Sequence, residues 1–269
     1  MCKKEYDNLE KDKETKLFYW GEYETWNDAQ REITLKGMGD AYASQAIFDQ
    51  VVQATEKVRK GLAVYEQDGV CFHKMLVNYE LISAFLYVYA KEGSLEVVDF
   101  GGALGSTYFR YRHLWEELGA KWTIVEQKHF IDWGREHIEE LNFEYSLDQC
   151  SESTNCILLS GVLSCVEDPY VYFDKILKRK IPHVIIDEQA FHPEDRTTVM
   201  LQNVPPSIYQ AVYPSTLFSL SEFKKFIEDR GYKIWEWNYQ FGNIPIRVDG
   251  NTYIDTIEKG FYLSLNERS

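Results

Sequence analysis

The hydrophobic pattern of the chain changes character near residue 93. Before that point, apolar residues recur at the three- and four-residue spacing of amphipathic helices. The apolar run from Met75 to Ala90 continues this spacing, and the Gly93 that follows is typical of the end of a helix. We therefore predict a helical lobe over residues 17–93. The polar segment before it, residues 1–16, is expected to be a disordered tail.

From residue 94 onward, short apolar runs alternate with amphipathic helical segments. The run Cys156–Ser160 has almost no polarity, as expected of a strand that helices cover on both faces. Strand–helix alternation of this kind predicts a parallel α/β sheet in residues 94–269. The predicted strands are residues 95–100, 122–126, 143–145, 156–160, 183–187, 232–240 and 260–265, and the predicted helices include 106–118, 131–141, one beginning at Asp168-Pro169 and one with a Ser219/Glu222 capping box.

One long connection, residues 189–218, interrupts this alternation. It leaves the predicted strand 183–187 at the carboxyl edge of the sheet, and Pro205-Pro206 stiffens its middle. Long connections inside compact domains are commonly lids or binding loops. We therefore predict a lid or acceptor loop over residues 189–218.

Composition and charge exclude several classes of partner. The 269 residues include 29 Lys and Arg against 43 Asp and Glu, a formal net charge of −14. So acidic a surface repels nucleic-acid phosphates and anionic lipids, and we expect neither nucleic acid nor membrane as a partner. The five cysteines form no CxxC pair and leave one thiol unpaired in any pairing, which favours reduced thiols and a cytoplasmic protein.

A glycine turn, residues 99–105, follows the first predicted strand of the sheet and begins a helix. Gly101 and Gly102 allow a ligand to approach the backbone closely, and Gly105 allows tight packing of strand and helix. Dinucleotide enzymes need G-x-G-x-x-G at such a turn, but Phe100 stands where the first glycine would be. Asp99 before the turn would repel a pyrophosphate and suits a ligand with a positive charge and an amine. S-adenosylmethionine (SAM) has both.

Three further positions complete the predicted cofactor site. Glu126 ends the next strand, close to the offset of roughly 20 residues at which an acid bonds ribose hydroxyls. Leu147 follows the third strand on the side expected for adenine, and Ser160 leaves the fourth strand where it can wall the cofactor. The predicted cofactor-binding residues are Asp99, Phe100, Gly101, Gly102, Gly105, Glu126, Leu147 and Ser160.

The turn resembles the D-x-G-x-G-x-G motif of class I SAM-dependent methyltransferases, with Ala103 in place of the middle glycine. The chain is also similar to a methyltransferase family found in bacterial surface-polysaccharide gene clusters. The segments that carry this resemblance are residues 21–29, 98–106, 159–163, 167–169, 204–209, 213–214 and 218–219.

This resemblance implies a Rossmann-like methyltransferase sheet, mostly parallel with its last strand antiparallel. It also implies methyl transfer from SAM but names no acceptor; our leading hypothesis is a hydroxyl or amine of a small molecule or glycan precursor. One departure stands out, because Glu188 occupies the position where we expect an arginine. A strongly anionic acceptor is therefore less expected.

Candidate acceptor-side residues lie in the long connection. His192 is the candidate general base, since its ordinary pKa lies near the working pH, and Tyr209 and Tyr213 are candidate walls of the acceptor pocket. A metal site beside this connection is one alternative, with the possible ligands Asp187, Glu188, His192 and Asp195. However, Ser160 stands where catechol-type methyltransferases hold a metal with an acid, so we expect none.

Two other functions stay open at this stage. The chain could be an NAD- or nucleotide-sugar-dependent enzyme on a similar sheet, which Phe100 and Asp99 disfavour. It could also be a noncatalytic cofactor-binding protein that uses the helical lobe as a partner surface. The sequence identifies neither the acceptor nor the oligomeric state.

Overall fold

The computed structural model describes residues 15–36, 44–249 and 252–265, so nearly all of the predicted tail lies outside the described residues. The strands are β1 (Phe18–Tyr23), β2 (Tyr65–Gln67), β3 (Val70–Phe72), β4 (Glu96–Phe100), β5 (Lys121–Val125), β6 (Asn142–Glu144), β7 (Cys156–Ser160), β8 (His183–Phe191), β9 (Thr198–Val204), β10 (Ala211–Leu217), β11 (Tyr232–Asn238), β12 (Ile246–Asp249), β13 (Thr252–Ile254) and β14 (Ile257–Leu265). The helices are α1 (Trp26–Leu35), α2 (Gln45–Arg59), α3 (Tyr79–Glu92), α4 (Ser106–Arg110), α5 (Arg112–Glu117), α6 (Lys128–His137), α7 (Pro169–Lys178) and α8 (Leu220–Glu228).

The main sheet has seven strands in the order β11-β14-β8-β7-β4-β5-β6. The strands from β8 to β6 pair in parallel, whereas β14 runs antiparallel to both β8 and β11. This arrangement confirms the predicted Rossmann-like methyltransferase sheet. The carboxyl ends of β4, β5, β6, β7 and β8 therefore lie along one edge, where such sheets bind their ligands.

Two apolar clusters cover the two faces of this sheet. On one face, Trp115 and Trp122 are fully buried and pack with Phe85 of α3, at ring-centroid distances of 5.1 to 5.6 Å. On the other face, Phe173 of α7 stacks on Phe223 of α8 at 5.2 Å. Because both faces are covered, β7 reads as an uninterrupted apolar run, as predicted.

A second sheet, with the strand order β10-β9-β1-β12-β13, was not predicted. The predicted lid or loop at residues 189–218 is wrong in its secondary structure, because β8 extends to Phe191 and β9 and β10 then form an antiparallel hairpin. Every residue of β10 is buried, so its sequence shows none of the apolar–polar alternation that marks a half-exposed strand.

The expectation that residues 17–93 are helical is wrong at two places. The first is β1, which pairs with β9 and β12, and the second is the β2–β3 hairpin. Its two-residue turn is Asp68-Gly69, with both residues at positive φ (52° and 73°), the conformation that suits tight hairpins. Gln50 of α2 holds the hairpin by donating to the Gly69 carbonyl at 3.4 Å. Among the described residues, no helix has the length and apolar character to cross a membrane.

Candidate active site

The glycine turn after β4 leaves no room for side chains. Gly101 has φ of 78°, and its N–H donates to the Val125 carbonyl at 2.8 Å. A Cβ at Gly101 would lie 2.4 Å from the Val162 side chain, and one at Gly102 would lie 2.5 Å from the Asp99 carboxyl carbon. Because real Cβ atoms do not approach other heavy atoms so closely, the turn requires glycine at both positions.

Two acids flank this turn, Asp99 buried and Glu126 partly buried. Asp99 is 1 % exposed and accepts a hydrogen bond from the Trp122 indole N–H at 3.2 Å; burial is the main cause that raises its pKa to about 7. Glu126 accepts from the Gln127 N–H at 2.8 Å and from the Ala103 N–H at 3.3 Å. Burial raises the pKa of Glu126 as well. The two carboxylates therefore lie beside the turn, where they can accept hydrogen bonds from hydroxyl or amine groups of a ligand.

One cavity of about 1050 Å³ runs along the carboxyl edge of the main sheet. It is lined by seven of the eight predicted cofactor residues, namely Asp99, Phe100, Gly101, Gly102, Glu126, Leu147 and Ser160. The exception is Gly105, which is not among the lining residues. Its φ is 94° and an added Cβ would lie 2.4 Å from the Leu141 side chain, so it serves the packing beneath the turn. The volume suffices for a cofactor and a second molecule, since ligand pockets measure roughly 300–1000 Å³.

The far end of this cavity lies between the main sheet, the second sheet and the β2–β3 hairpin. We call it the distal chamber. It is lined by Tyr19, Gln67, Asp68, Glu188, Gln202, Tyr209, Tyr213, Ile244 and Glu258. The structure thus brings Tyr209 and Tyr213 to the cavity, and their role at an acceptor stays a prediction.

Three chamber residues form one row across the second sheet. Gln202 of β9 stands directly opposite Tyr19 of β1 on one side and Tyr213 of β10 on the other. Residues paired in this way share a face of the sheet, so the row presents two tyrosines and an amide to the chamber. The hydroxyl of Tyr209, from the β9–β10 turn, is hydrogen-bonded to Tyr213.

His192 does not reach the cavity, so its prediction as general base is wrong. Its backbone N–H donates to the Phe218 carbonyl at 3.0 Å, and its Nδ1 accepts from the Glu194 N–H at 3.2 Å. The side chain lines a separate, smaller cavity beside Asp195 and α8. The physical reason is the length of β8, which runs past the sheet edge to Phe191 and carries His192 beyond the chamber.

Glu188 enters the chamber through an irregularity in β8. Asp187 and Glu188 together stand opposite the single residue Gly260 of β14, which is the pattern of a β-bulge, and Glu188 has φ of 55°. This left-handed conformation is uncommon outside glycine and is found at functional sites. The Glu188 carboxylate accepts from Gln67 Nε2 at 3.1 Å and from the Tyr239 hydroxyl at 2.5 Å.

The three chamber acids stand near one another. Burial, with repulsion from Glu188 and Glu66, raises the pKa of Asp68 to about 7. Burial, with a further contribution from Glu188, raises the pKa of Glu258 to about 7. Burial raises the pKa of Glu188 itself. These acids are the functional residues that sequence reasoning missed, apart from the remark on Glu188. A glycine inside a strand, Gly260, was the one local signal of the bulge.

Comparison with solved structures identifies the architecture. A SAM-bound amino pentose methyltransferase from Micromonospora echinaspora, involved in calicheamicin biosynthesis, superimposes with a TM-score of 0.50 at 10% identity, covering 80% of this chain and 97% of that chain. The chain has the class I methyltransferase fold. The N-terminal domain of EvdMO1 with S-adenosylhomocysteine (SAH) bound gives a TM-score of 0.50 at 10% identity, covering 85% of this chain and all (100%) of that domain.

The same EvdMO1 domain in the presence of SAH and D-fucose gives a TM-score of 0.50 at 9% identity, again over 85% of this chain and 100% of that domain. At these identities the likeness concerns the fold alone. No family model matches the chain, and no curated protein matches it in sequence. Among the described residues, no group of three or more His, Cys, Asp and Glu side chains could hold a metal ion.

Proposed function

We propose that this protein is a SAM-dependent methyltransferase that acts on a small-molecule acceptor. The observation that carries the proposal is the single cavity that joins the Asp99–Glu126 turn to the distal chamber. A donor placed at the turn and an acceptor placed in the chamber would share one space. Methyl transfer needs such a shared space, since donor and acceptor must meet in line.

The residues at the turn fit this cofactor. In this proposal Glu126 accepts from ribose hydroxyls, while Asp99 accepts from the ammonium group. The ring of Phe100 and the side chain of Leu147 line the same part of the cavity and offer apolar walls for an adenine. When bound, SAM supplies a methyl group already activated on a sulfonium. The task of the chain is therefore to align the partners and to keep water out.

The roof of the chamber serves this exclusion of water. Gln50 of α2 donates both to the Gly69 carbonyl of the β2–β3 hairpin and, at 2.5 Å, to the Ile208 carbonyl of the β9–β10 turn. Ile47 of α2 packs beside Tyr213 and the rest of a small apolar cluster on the second sheet. Helix, hairpin and second sheet thus converge over the chamber and hold its walls in place.

The proposed acceptor class has two sources of support. The solved structures with this fold include a methyltransferase that acts on an amino pentose and a domain crystallised in the presence of D-fucose. Together with the sequence resemblance to a family of polysaccharide gene clusters, they support a sugar or glycan precursor with a hydroxyl or amine as acceptor. A bacterial setting accompanies that resemblance, and the cysteine pattern supports a cytoplasmic one; both are part of the same proposal.

Calorimetric titration with SAM and SAH tests the cofactor. We expect saturable 1:1 binding of both, and a loss of roughly tenfold to a hundredfold in affinity for Glu126→Gln, because a ribose acceptor is removed. Glu152→Gln, which removes one exposed carboxylate outside the cavity, is the matched control and should bind as the wild type does. Absence of binding by SAM and SAH, or enhancement of NADH fluorescence in their place, would overturn the proposal.

A further inference from the structure

The distal chamber brings together three acids that form no ion pair with a basic residue in the described part of the chain. Asp68, Glu188 and Glu258 line it together, and among the described residues no ion pair joins any of them to a lysine or arginine. The Asp68 carboxylate has no hydrogen-bond partner within the described part of the chain. Grouped carboxylates repel one another in a partly dry cavity, so the chamber favours a ligand that brings positive charge.

The basic residues that line the cavity stand elsewhere. Lys178 and Arg179, at the end of α7, pair with Asp174 and Asp148 on the side of the predicted adenine position. Arg110 lies nearer the chamber, but its guanidinium stacks over the Tyr65 ring at 4.1 Å and donates to the Leu76 carbonyl. The positive charge of Arg110 favours the ionised form of Glu188, but Arg110 forms no ion pair with a chamber carboxylate within the described residues, so the carboxylate oxygens stay accessible to a ligand.

The aromatic residues of the chamber also favour a positively charged ligand, through the attraction between a cation and a ring face. Tyr19, Tyr209 and Tyr213 line it, and Tyr19 and Tyr213 flank Gln202 in one row of the second sheet. Tyrosine rings beside carboxylates are a setting in which proteins recognise ammonium groups, since the ring faces attract cations. A neutral sugar hydroxyl could donate to one of these carboxylates, but it would bring no positive charge to offset their mutual repulsion.

The bulge in β8 turns the carboxylate of Glu188 into the chamber, where it is available to accept a proton from a bound ligand. The Glu188 carboxylate accepts hydrogen bonds from Gln67 Nε2 and from the Tyr239 hydroxyl, and these two donors fix its position. The bulge is a costly backbone conformation that a regular strand would avoid, and its result is a carboxylate turned into the chamber. Glu188 lies in β8, one residue beyond Asp187, which pairs with the cavity-lining Ser160 at the end of β7.

From these observations we propose that the acceptor is a primary or secondary amine that enters as its ammonium form, held by Glu188 and Asp68 among the chamber tyrosines, with Glu188 as the catalytic base. The proposal rests on the proposed function. One proton passes from the ammonium to the Glu188 carboxylate, which frees the nitrogen lone pair. That pair forms the new N–C bond as the C–S bond of SAM breaks and its electrons return to sulfur. The products are a methylated ammonium ion, protonated Glu188 and SAH.

The test uses SAM with a deuterated methyl group and a panel of matched pairs. Each pair is an amino sugar or simple alkylamine with the compound that carries a hydroxyl in place of the amine. Fragmentation of the products by mass spectrometry shows whether the label lies on nitrogen or oxygen. We expect labelled nitrogen, and a preference of at least 100-fold in kcat/KM for the amine of a pair.

Glu188→Gln keeps the shape of the side chain and removes its charge and basicity. We expect it to lower kcat/KM for the amine at least 100-fold and to lose most of the preference within a pair, with the affinity for SAH changed less than threefold. Asp68→Asn should raise KM for the amine more than it lowers kcat. Glu152→Gln, which makes the same change of charge outside the cavity, should behave as the wild type in every assay.

Three results would overturn the proposal. The first is labelling of oxygen in the neutral compounds with an efficiency equal to or greater than that of the amines. The second is amine methylation by Glu188→Gln at the wild-type rate. The third is failure to label any amine while calorimetry shows that SAH binds. If SAH does not bind at all, the proposed function itself fails. The SAH titration therefore separates the failure of the amine proposal from the failure of methyl transfer.

Discussion

The two ends of the cavity both hold acids that form no ion pair among the described residues, but they are built in different ways. At the cofactor end, the acids are satisfied by nearby groups of the protein, as where Glu126 accepts two backbone N–H groups and Asp99 accepts an indole N–H. In the distal chamber, Asp68 and Glu258 stand near Glu188 with no ion pair among the described residues. Glu188 and Glu258 are hydrogen-bonded as well, but the chamber groups three acids that repel one another, and Asp68 has no hydrogen-bond partner within the described residues.

Different interactions stabilise the two ends of the cavity. The cofactor end relies on close packing of backbone against backbone, since neither Gly101 nor Gly102 has room for a Cβ. The chamber relies on contacts between distant segments, which hold like charges together at a cost in folding free energy. Steric changes should therefore damage the first end most, and changes of charge should have opposite effects on stability and activity at the second.

The largest expected effect comes from Gly102→Ala at the cofactor end. The new Cβ would lie 2.5 Å from the Asp99 carboxyl carbon, so the carboxylate must leave the turn. We expect calorimetry to show a loss of roughly 100-fold or more in affinity for SAH, since a charged hydrogen bond and the shape of the turn are lost together. Gly119→Ala, whose Cβ meets open space far from the cavity, should keep the wild-type affinity. Equal losses in the two variants would contradict a steric role for the turn.

A smaller effect follows from pH at the same end. In the free protein, burial raises the pKa of Asp99 to about 7, with Glu126 adding to the rise. A ligand with an ammonium group favours the ionised carboxylate, so binding releases a proton when the pH lies below that pKa. Between about pH 8 and about pH 6, SAH affinity should fall by about tenfold as the pH is lowered. Asp99→Asn should bind weakly with a flatter pH profile; a wild-type affinity independent of pH would speak against Asp99 as the partner of the amine.

The smallest effect concerns stability at the chamber end. Removing the charge of Glu188 relieves its repulsion with Asp68 and Glu258, so Glu188→Gln should raise the free energy of unfolding by about 1 kcal/mol in urea titrations at about pH 8. The folded-state pKa values of these acids are raised, so the repulsion appears as the pH rises through about 7. It fades below that value as the acids take up protons.

The gain from Glu188→Gln should therefore shrink towards about pH 5. Glu152→Gln should change the unfolding free energy little at either pH, because the Glu152 side chain is exposed. A destabilised Glu188→Gln variant at about pH 8 would show that the hydrogen bonds from Gln67 and Tyr239 outweigh the repulsion.

The sequence was informative where structure is local. The turn at residues 99–105 lies between one strand and one helix, so its residue types and their spacing predict its geometry directly. Glu126 follows at the end of the next strand and was predicted in the same way. The main sheet was predictable for the same reason, since each strand is a short apolar run between amphipathic helices.

The chamber could not be predicted in the same way. Tyr19, Gln202 and Tyr213 become neighbours only through pairing of β1, β9 and β10, and no local pattern states which strands pair. β10 is buried along its whole length and lacks alternation, so the hairpin resembled a loop. His192 was chosen for its chemistry alone, and four extra strand residues were enough to carry it away from the cavity.

The position of β1 has a consequence for how the protein is made. Residues of β1 are synthesised first among the described strands, yet β1 pairs with β9 and β12, whose partners for Tyr19 are Gln202 and Ile246. Contacts of such long sequence separation form late, because closing a long loop costs entropy before any pairing compensates it. During synthesis the cofactor turn, complete by residue 126, can form well before the chamber. The nascent chain should thus pass through a state with a formed turn and an exposed β1, which makes this strand the segment most in need of protection from aggregation.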